Sequence, residues 1–223
     1  MSVRPVQRAA PPALGSLPPA QRKRCDQIVR AALELLEHGE YDQIQVRDVA
    51  QRADVALGTL YRYFASKEHL YAAVMRLWVD SFNRGLQRTT LPADPGSALK
   101  ELLRRSIAAF VAKPQFLRVE IVMEGSNDPH ARELISDFAD AYASAYHDTL
   151  AGLSVDQAAQ IEMMIQCVLT KMLHSYALDR VSVERVYEVV LGSVDLVFSP
   201  PPTARKQRNN RKSPTTTPAG VTT

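Results

Sequence analysis

Between Arg47 and Lys67 the chain gathers side chains suited to a polyanion: Arg47, Thr59, Tyr61, Arg62, Tyr63 and Lys67, with Leu57 and Gly58 opening the cluster. Guanidinium and ammonium groups neutralise phosphate, and a guanidinium also reads guanine in a bidentate fashion. Hydroxyls suit phosphate oxygens and thymine edges, and Gly58, lacking a side chain, permits close backbone approach. Catalytic arrangements are missing from the sequence. It holds no His-Glu-x-x-His pair, phosphate loop, Gly-x-Ser-x-Gly turn or dinucleotide fingerprint. Glu120 and Glu124 lie one helical turn apart, but without a Glu-x-x-His set they do not make a di-metal bundle. Cys25 and Cys167 lack any paired spacing, which excludes a disulfide framework and a cysteine zinc site. Neither an enzyme nor a cofactor is expected.

The elements that must position this cluster read at a helical period. Ile28, Ala31, Ala32, Leu35 and Leu36 form one apolar stripe, ended by Gly39 as a cap. Val46, Val49, Ala50 and Ala53 mark a short helix, and Leu57, Leu60, Tyr61 and Phe64 mark another. Between them Asp54 suits a left-handed turn. Two short helices joined by a tight turn make a helix-turn-helix, whose second helix enters a major groove. In it Leu60 and Phe64, four residues apart, read as core. Ser66 caps a long helix with stripe Leu70, Val74, Leu77 and Trp78.

Farther along, Pro114 stops a helix carrying Leu99, Leu102, Leu103, Ile107 and Phe110. Asp128 and Pro129 open the next, Ser154 to Gln157 fits a capping box, and Ser182 caps the last. No window alternates with period two. The expected class is all-α, about nine helices, with three short ones first.

Of 223 residues, 46% are hydrophobic and 23% charged, an ordinary globular composition that excludes fibrous and wholly disordered chains. No apolar run approaches the roughly 20 residues of a membrane span, and no leader is apparent, so a cytoplasmic chain is expected. Residues 1–24 and 199–223 each hold five basic residues and no acid, while all 24 acidic residues lie between them. An acidic body with basic ends suits contact with a polyanion, although solvated spacers fit the ends equally well. The expected division is a disordered basic arm (1–20), a helix-turn-helix domain (21–66), a larger helical domain (67–198) and a disordered basic tail (199–223).

Residues 43–69 resemble the DNA-binding region of the tetracycline-repressor (TetR) family, through Val46-Arg47-Asp48-Val49-Ala50, Ala53, Val55 and the run Gly58 to Glu68. The resemblance implies DNA contacts from Arg47, Leu57, Gly58, Thr59, Tyr61, Arg62, Tyr63 and Lys67. Gln45, Asp54 and Ala56 depart from the family's frequent Thr, Gly and Ser, leaving a phosphate contact at 45 and a cap at 56 unsupported. Within the family the run looks most like actinobacterial regulators of steroid and lipid catabolism, which respond to CoA thioesters. It implies a homodimer on a pseudo-palindromic operator, most often a repressor, released when a small hydrophobic or acyl-CoA-type effector binds the larger domain and moves the long helix near Lys67.

For that effector the sequence offers Trp78, Phe82, Phe110, Met123, Phe138, Tyr142, Met163 and His174 as pocket candidates, methionine suiting irregular apolar ligands, though plain core is the commoner fate of such residues. The last two helices are apolar on more than one face, so one face must pack outside the helix's own core. Met164, Val168, Val183, Val186, Val190, Val194 and Val197 are the dimer-interface candidates. The competing readings are a helical interaction module without DNA binding and, less favoured, a helical-bundle enzyme.

Overall fold

A computed structural model describes residues 11–12, 14–87, 90–136, 146, 148–150 and 152–198. Helix α1 (Pro19–His38) starts with proline in its first turn, where no backbone N–H is required, and buries Cys25, Ile28, Val29, Ala31, Ala32 and Leu36 along one face. Gly39 ends it in an extended rather than left-handed conformation, φ −147°. Helices α2 (Val46–Arg52) and α3 (Leu57–Tyr63) have seven residues each. The long α4 (Lys67–Gln87) follows, then α5 (Pro95–Ala112), α6 (Pro114–Glu124), α7 (described over 129–136), α8 (Val155–Ala177) and α9 (Val183–Phe198). Among the described residues there are nine α-helices and no strand.

Local signals explain most boundaries. Asp94 caps α5 by accepting the Ser97 N–H at 2.8 Å, with Pro95 in the first turn. Pro114 both ends α5 and begins α6. Asp128 Oδ1 accepts the N–H groups of His130 (2.9 Å) and Ala131 (3.0 Å) at the start of α7. Ser154 and Gln157 form their capping box on α8, and Ser182 accepts the Arg185 N–H at 3.3 Å on α9.

Two sequence expectations change here. Only α2 and α3 are short, since α1 runs for 20 residues. Residues 14–20 are also ordered rather than part of a loose arm. Leu14–Ser16 form a 3-10 turn, Leu17 is buried, and the Arg22 guanidinium holds the Gly15 and Leu17 carbonyls. Leucine inserted into a core outweighs the local proline content. Residues 1–10 and the tail 199–223 lie outside the described residues.

Two apolar cores run through the molecule. The first joins α1, α2 and α3 to the first half of α4 (Leu70, Tyr71, Val74, Met75), and to Phe116, Val119 and Met123 of α6 and Ala131 of α7. The second joins the far part of α4 to α5, α8 and α9. Trp78 packs against both, stacked on Phe116 at 4.8 Å and tilted against Phe110 at 4.8 Å. The head carrying α2 and α3 therefore shares its core with the body.

Candidate nucleic-acid interface

The turn between α2 and α3 is built around Asp54, whose φ of 50° is left-handed. Asparagine and aspartate tolerate that conformation better than most residues, so Asp54 stands in for the glycine often found there. The Val55 N–H reaches back to the Ala50 carbonyl at 3.0 Å, and Gln27 of α1 donates to the Ala53 carbonyl at 2.8 Å. Underneath, Val49, Ala50 and Ala53 meet Leu60 and Phe64 in the core. The angle between α2 and α3 is thereby set by packing and by two bonds to the turn. At the start of α2, the Gln45 N–H donates to Asp48 Oδ2 at 3.2 Å.

Seven residues make barely two turns, so α3 splits cleanly into faces. Leu60 and Tyr63 point into the core, followed by Phe64. Leu57 (42% exposed), Gly58 and Arg62 point outward, and Thr59 and Tyr61 lie half-buried beside them. Arg47 of α2 extends into solvent, 3.7 Å from Asp48. Leu57, Gly58, Thr59, Tyr61 and Arg62 together make the outward side of α3. A Cβ built on Gly58 meets nothing within 4 Å, so nothing in the fold itself demands glycine there.

Tyr63 leaves the contact set. It is 1% exposed, because it lies three residues after Leu60 on the inward stripe, and Arg62 covers its ring at 5.4 Å. Lys67 is turned inward in this structure. Its ammonium donates to the Tyr41 carbonyl and sits 4.0 Å from the Tyr41 ring centroid. Burial lowers its pKa from the ordinary lysine value, against the raising effect of Asp42 and Glu68.

The family profile of bacterial regulatory proteins of the tetR type matches residues 28–74, which hold all of α2 and α3. Residues 28–74 thus make a tetR-family domain. Over 56 residues it is 52% identical to the transcriptional repressor KstR of Mycolicibacterium smegmatis, a match covering 25% of this chain and 28% of that one. The match to the KstR repressors thus spans little more than a quarter of their length. Its whole fold aligns with a TetR transcriptional regulator from a Rhodococcus species at TM-score 0.70 and 25% identity, covering 81% of this chain and 98% of the other. It also aligns with the FadR regulator of Bacillus subtilis, solved with stearoyl-CoA, at TM-score 0.57 and 17% identity, covering 78% and 97%. That second likeness concerns the fold alone.

The helical body disperses the pocket candidates. Trp78 and Phe110 join the aromatic stack with Phe116, Phe82 lies half-buried on the second core, and Met123 is buried in the first. Met163 is 70% exposed on the outer face of α8 and lines no interior space, a correction that follows from its lying two residues from the inward Ile165. Phe138 and Tyr142 lie outside the described residues. His174 of α8 faces two carboxylates of α6, its Nε2 3.9 Å from Glu120 and its Nδ1 3.7 Å from Glu124. Burial, helped by Glu124, pushes Glu120 up to about 7, and burial lowers His174.

Two of the clefts lie elsewhere. One of about 730 Å³ follows α1 to the end of α2, and one of about 640 Å³ separates residues 11–17 and α1 from α4 and α7. None of the described pocket candidates lines either cleft. Sequence reasoning missed the second, whose walls come from four separate segments that no local periodicity relates.

The dimer candidates divide in the same way. Val186, Val190 and Val194 are at most 1% exposed within the single chain, packed in the second core, so they are not an interface. Spaced four residues apart, they form the stripe with which α9 contacts α5 and α8. Val168, Val183 and Val197 are half-buried. Met164 (58%) is exposed, together with Met163, Cys167 and Leu196 (82%), which the sequence reading either assigned elsewhere or left out.

Proposed function

We propose that this chain is a ligand-responsive transcriptional repressor that reads a pseudo-palindromic operator as a homodimer and lets go when a hydrophobic or acyl-CoA-type effector binds. The observation carrying this is the outward side of α3, formed by Leu57, Gly58, Thr59, Tyr61 and Arg62 on a short helix fixed by the Asp54 turn, with Arg47 exposed on α2. Polar and cationic groups on an exposed two-turn helix, with a glycine the fold does not need, suit a groove-bound partner. KstR, to which this chain is similar over 56 residues, is named a repressor.

The division of labour is a reading head over residues 21–66 and an effector and dimerisation body over 67–198. The exposed apolar side chains of α8 and α9, Met163, Met164 and Leu196, are the dimer face. Two copies related by a two-fold axis present two α3 helices to successive major-groove faces. A fold neighbour solved with stearoyl-CoA and the apolar body support that effector class. Among the described residues no helix is long and apolar enough to cross a membrane, and no group of three His, Cys, Asp or Glu side chains is placed to hold a metal.

Fluorescence anisotropy with a duplex from immediately upstream of the chain's own coding region tests the reading. Affinity is expected to fall steeply with salt as phosphate contacts displace counterions, and a specific duplex is expected to exceed a scrambled one by about a thousandfold or more. Equal binding to both duplexes would leave only non-specific attraction.

A further inference from the structure

The cleft of about 640 Å³ between residues 11–17, α1, α4 and α7 has a buried polar side chain in its wall. His69 lines it and is 4% exposed. Three contacts fix the ring. Its Nδ1 accepts the Ala65 N–H at 3.2 Å, Phe64 meets it edge-on at 5.3 Å, and His130 stacks on it at 5.2 Å with planes 25° apart. A backbone N–H only donates, so Nδ1 is the acceptor and the proton of the neutral ring sits on Nε2. Burial, then His130, pushes the His69 pKa down to about 4 against the opposing pull of Asp128, which keeps the ring uncharged at neutral pH. Among the described residues nothing accepts from Nε2, and that atom is not sealed off. It is a fixed donor turned toward the cleft.

The remaining walls narrow the occupant. Leu14, Leu17, Val29, Ala73, Leu77 and Leu134 give the cleft apolar surface. The charged side chains there balance in number, Arg22, Arg30 and Arg76 against Asp26, Asp80 and Glu133. A polyanion gains no net attraction from such walls, and a neutral imidazole supplies a hydrogen bond but no charge to offset the desolvation of a carboxylate. The volume lies within the range of ordinary small-molecule sites, roughly 300–1,000 Å³. The larger cleft along α1, of about 730 Å³, differs in that none of its polar lining residues is buried.

We propose that the cleft between residues 11–17, α1, α4 and α7 is a small-molecule site for an uncharged apolar compound with one carbonyl acceptor, which takes the Nε2–H of His69 while its hydrocarbon part lies against the leucines. The apolar lining belongs to the first core, and none of the described effector-pocket candidates lines it. The proposal goes beyond the DNA-reading assignment and does not depend on it.

Prodan, an uncharged fluorescent naphthyl ketone, is the probe, used on the full chain without DNA. Its emission is expected to brighten and shift to the blue on binding. 2-Acetylnaphthalene is expected to displace it about fivefold or more better than 2-ethylnaphthalene, which lacks the acceptor, or 2-naphthoate, which is charged. In His69→Asn the amide oxygen takes the place of Nδ1 and keeps the Ala65 bond, but no donor stands at the position of Nε2. That variant is expected to lose the advantage of the ketone and to bind 2-ethylnaphthalene unchanged. Leu134→Gln, on the half-buried wall, is expected to weaken ketone and hydrocarbon alike, by about threefold or more. Should His69→Asn fail to fold, the wild-type preference and Leu134→Gln together decide. Equal displacement by ketone and hydrocarbon, tighter binding of 2-naphthoate, or a probe indifferent to both variants, as one held deep in the second core is, overturns the proposal.

Discussion

In the variant Gly58→Ala a methyl group is added at the exposed start of α3, where nothing in the chain comes within 4 Å of it. Gly58 has no positive φ, so alanine takes up the same backbone conformation. Removing glycine's freedom in the unfolded chain stabilises a compatible position by about 0.4–1 kcal/mol. In a protein of this size 1 kcal/mol moves Tm by about 2–4 °C, so a rise of roughly 1–4 °C is expected. Affinity for the upstream duplex moves the other way. If the backbone at 58 approaches DNA to van der Waals contact, the methyl holds the helix off the groove and weakens several polar contacts together. A tenfold loss of affinity corresponds to ~1.4 kcal/mol, about what one displaced contact costs. Calorimetry and anisotropy on the same preparation read both quantities. An alanine variant that melts higher and binds the duplex undiminished refutes the close-approach argument, because the two effects must separate in sign.

Tyr61→Phe is expected to weaken the duplex complex with little change in Tm, whereas Tyr63→Ala, emptying a core position, lowers stability by about 3–5 kcal/mol in urea unfolding. Reversed roles would move the contact face of α3. Met164→Glu combined with Leu196→Glu is expected to give folded monomers in sedimentation, while Val190→Asp unfolds the chain, since a charge there has no water and no partner. A stable dimer of the double variant would place the interface away from the outer face of α8 and α9. Glu120→Gln tests the buried carboxyl. Its folded pKa of about 7 lies above the ordinary 4.5, so the native state holds a proton that the unfolded chain releases, and stability falls as pH rises from about 4.5 through about 7. Glutamine is therefore expected to stabilise the fold at pH 8, on the order of 1 kcal/mol or more, and to do little at pH 5. Equal effects at both pH values would show that Glu120 is ionised throughout.

The sequence alone determined whatever depends on neighbours along the chain. Helical periods, the caps at Ser66, Asp128, Ser154 and Ser182, and the left-handed turn at Asp54 are local matters of side-chain chemistry, legible from spacing. So was the reading segment, because a helix-turn-helix is a short, contiguous device. Tertiary structure decided which face of each helix met what. Tyr63 looked like another hydroxyl in a row of hydroxyls, yet 100° of rotation per residue carried it under the head. Val186, Val190 and Val194 looked like spare apolar surface, but α5 and α8 had already covered them, leaving Met163, Met164 and Leu196 outside. The pairing of His69 with His130 spans some sixty positions, and no period in the sequence relates such residues. Burial depends on the packing of all the helices at once, and that information lies in no single segment.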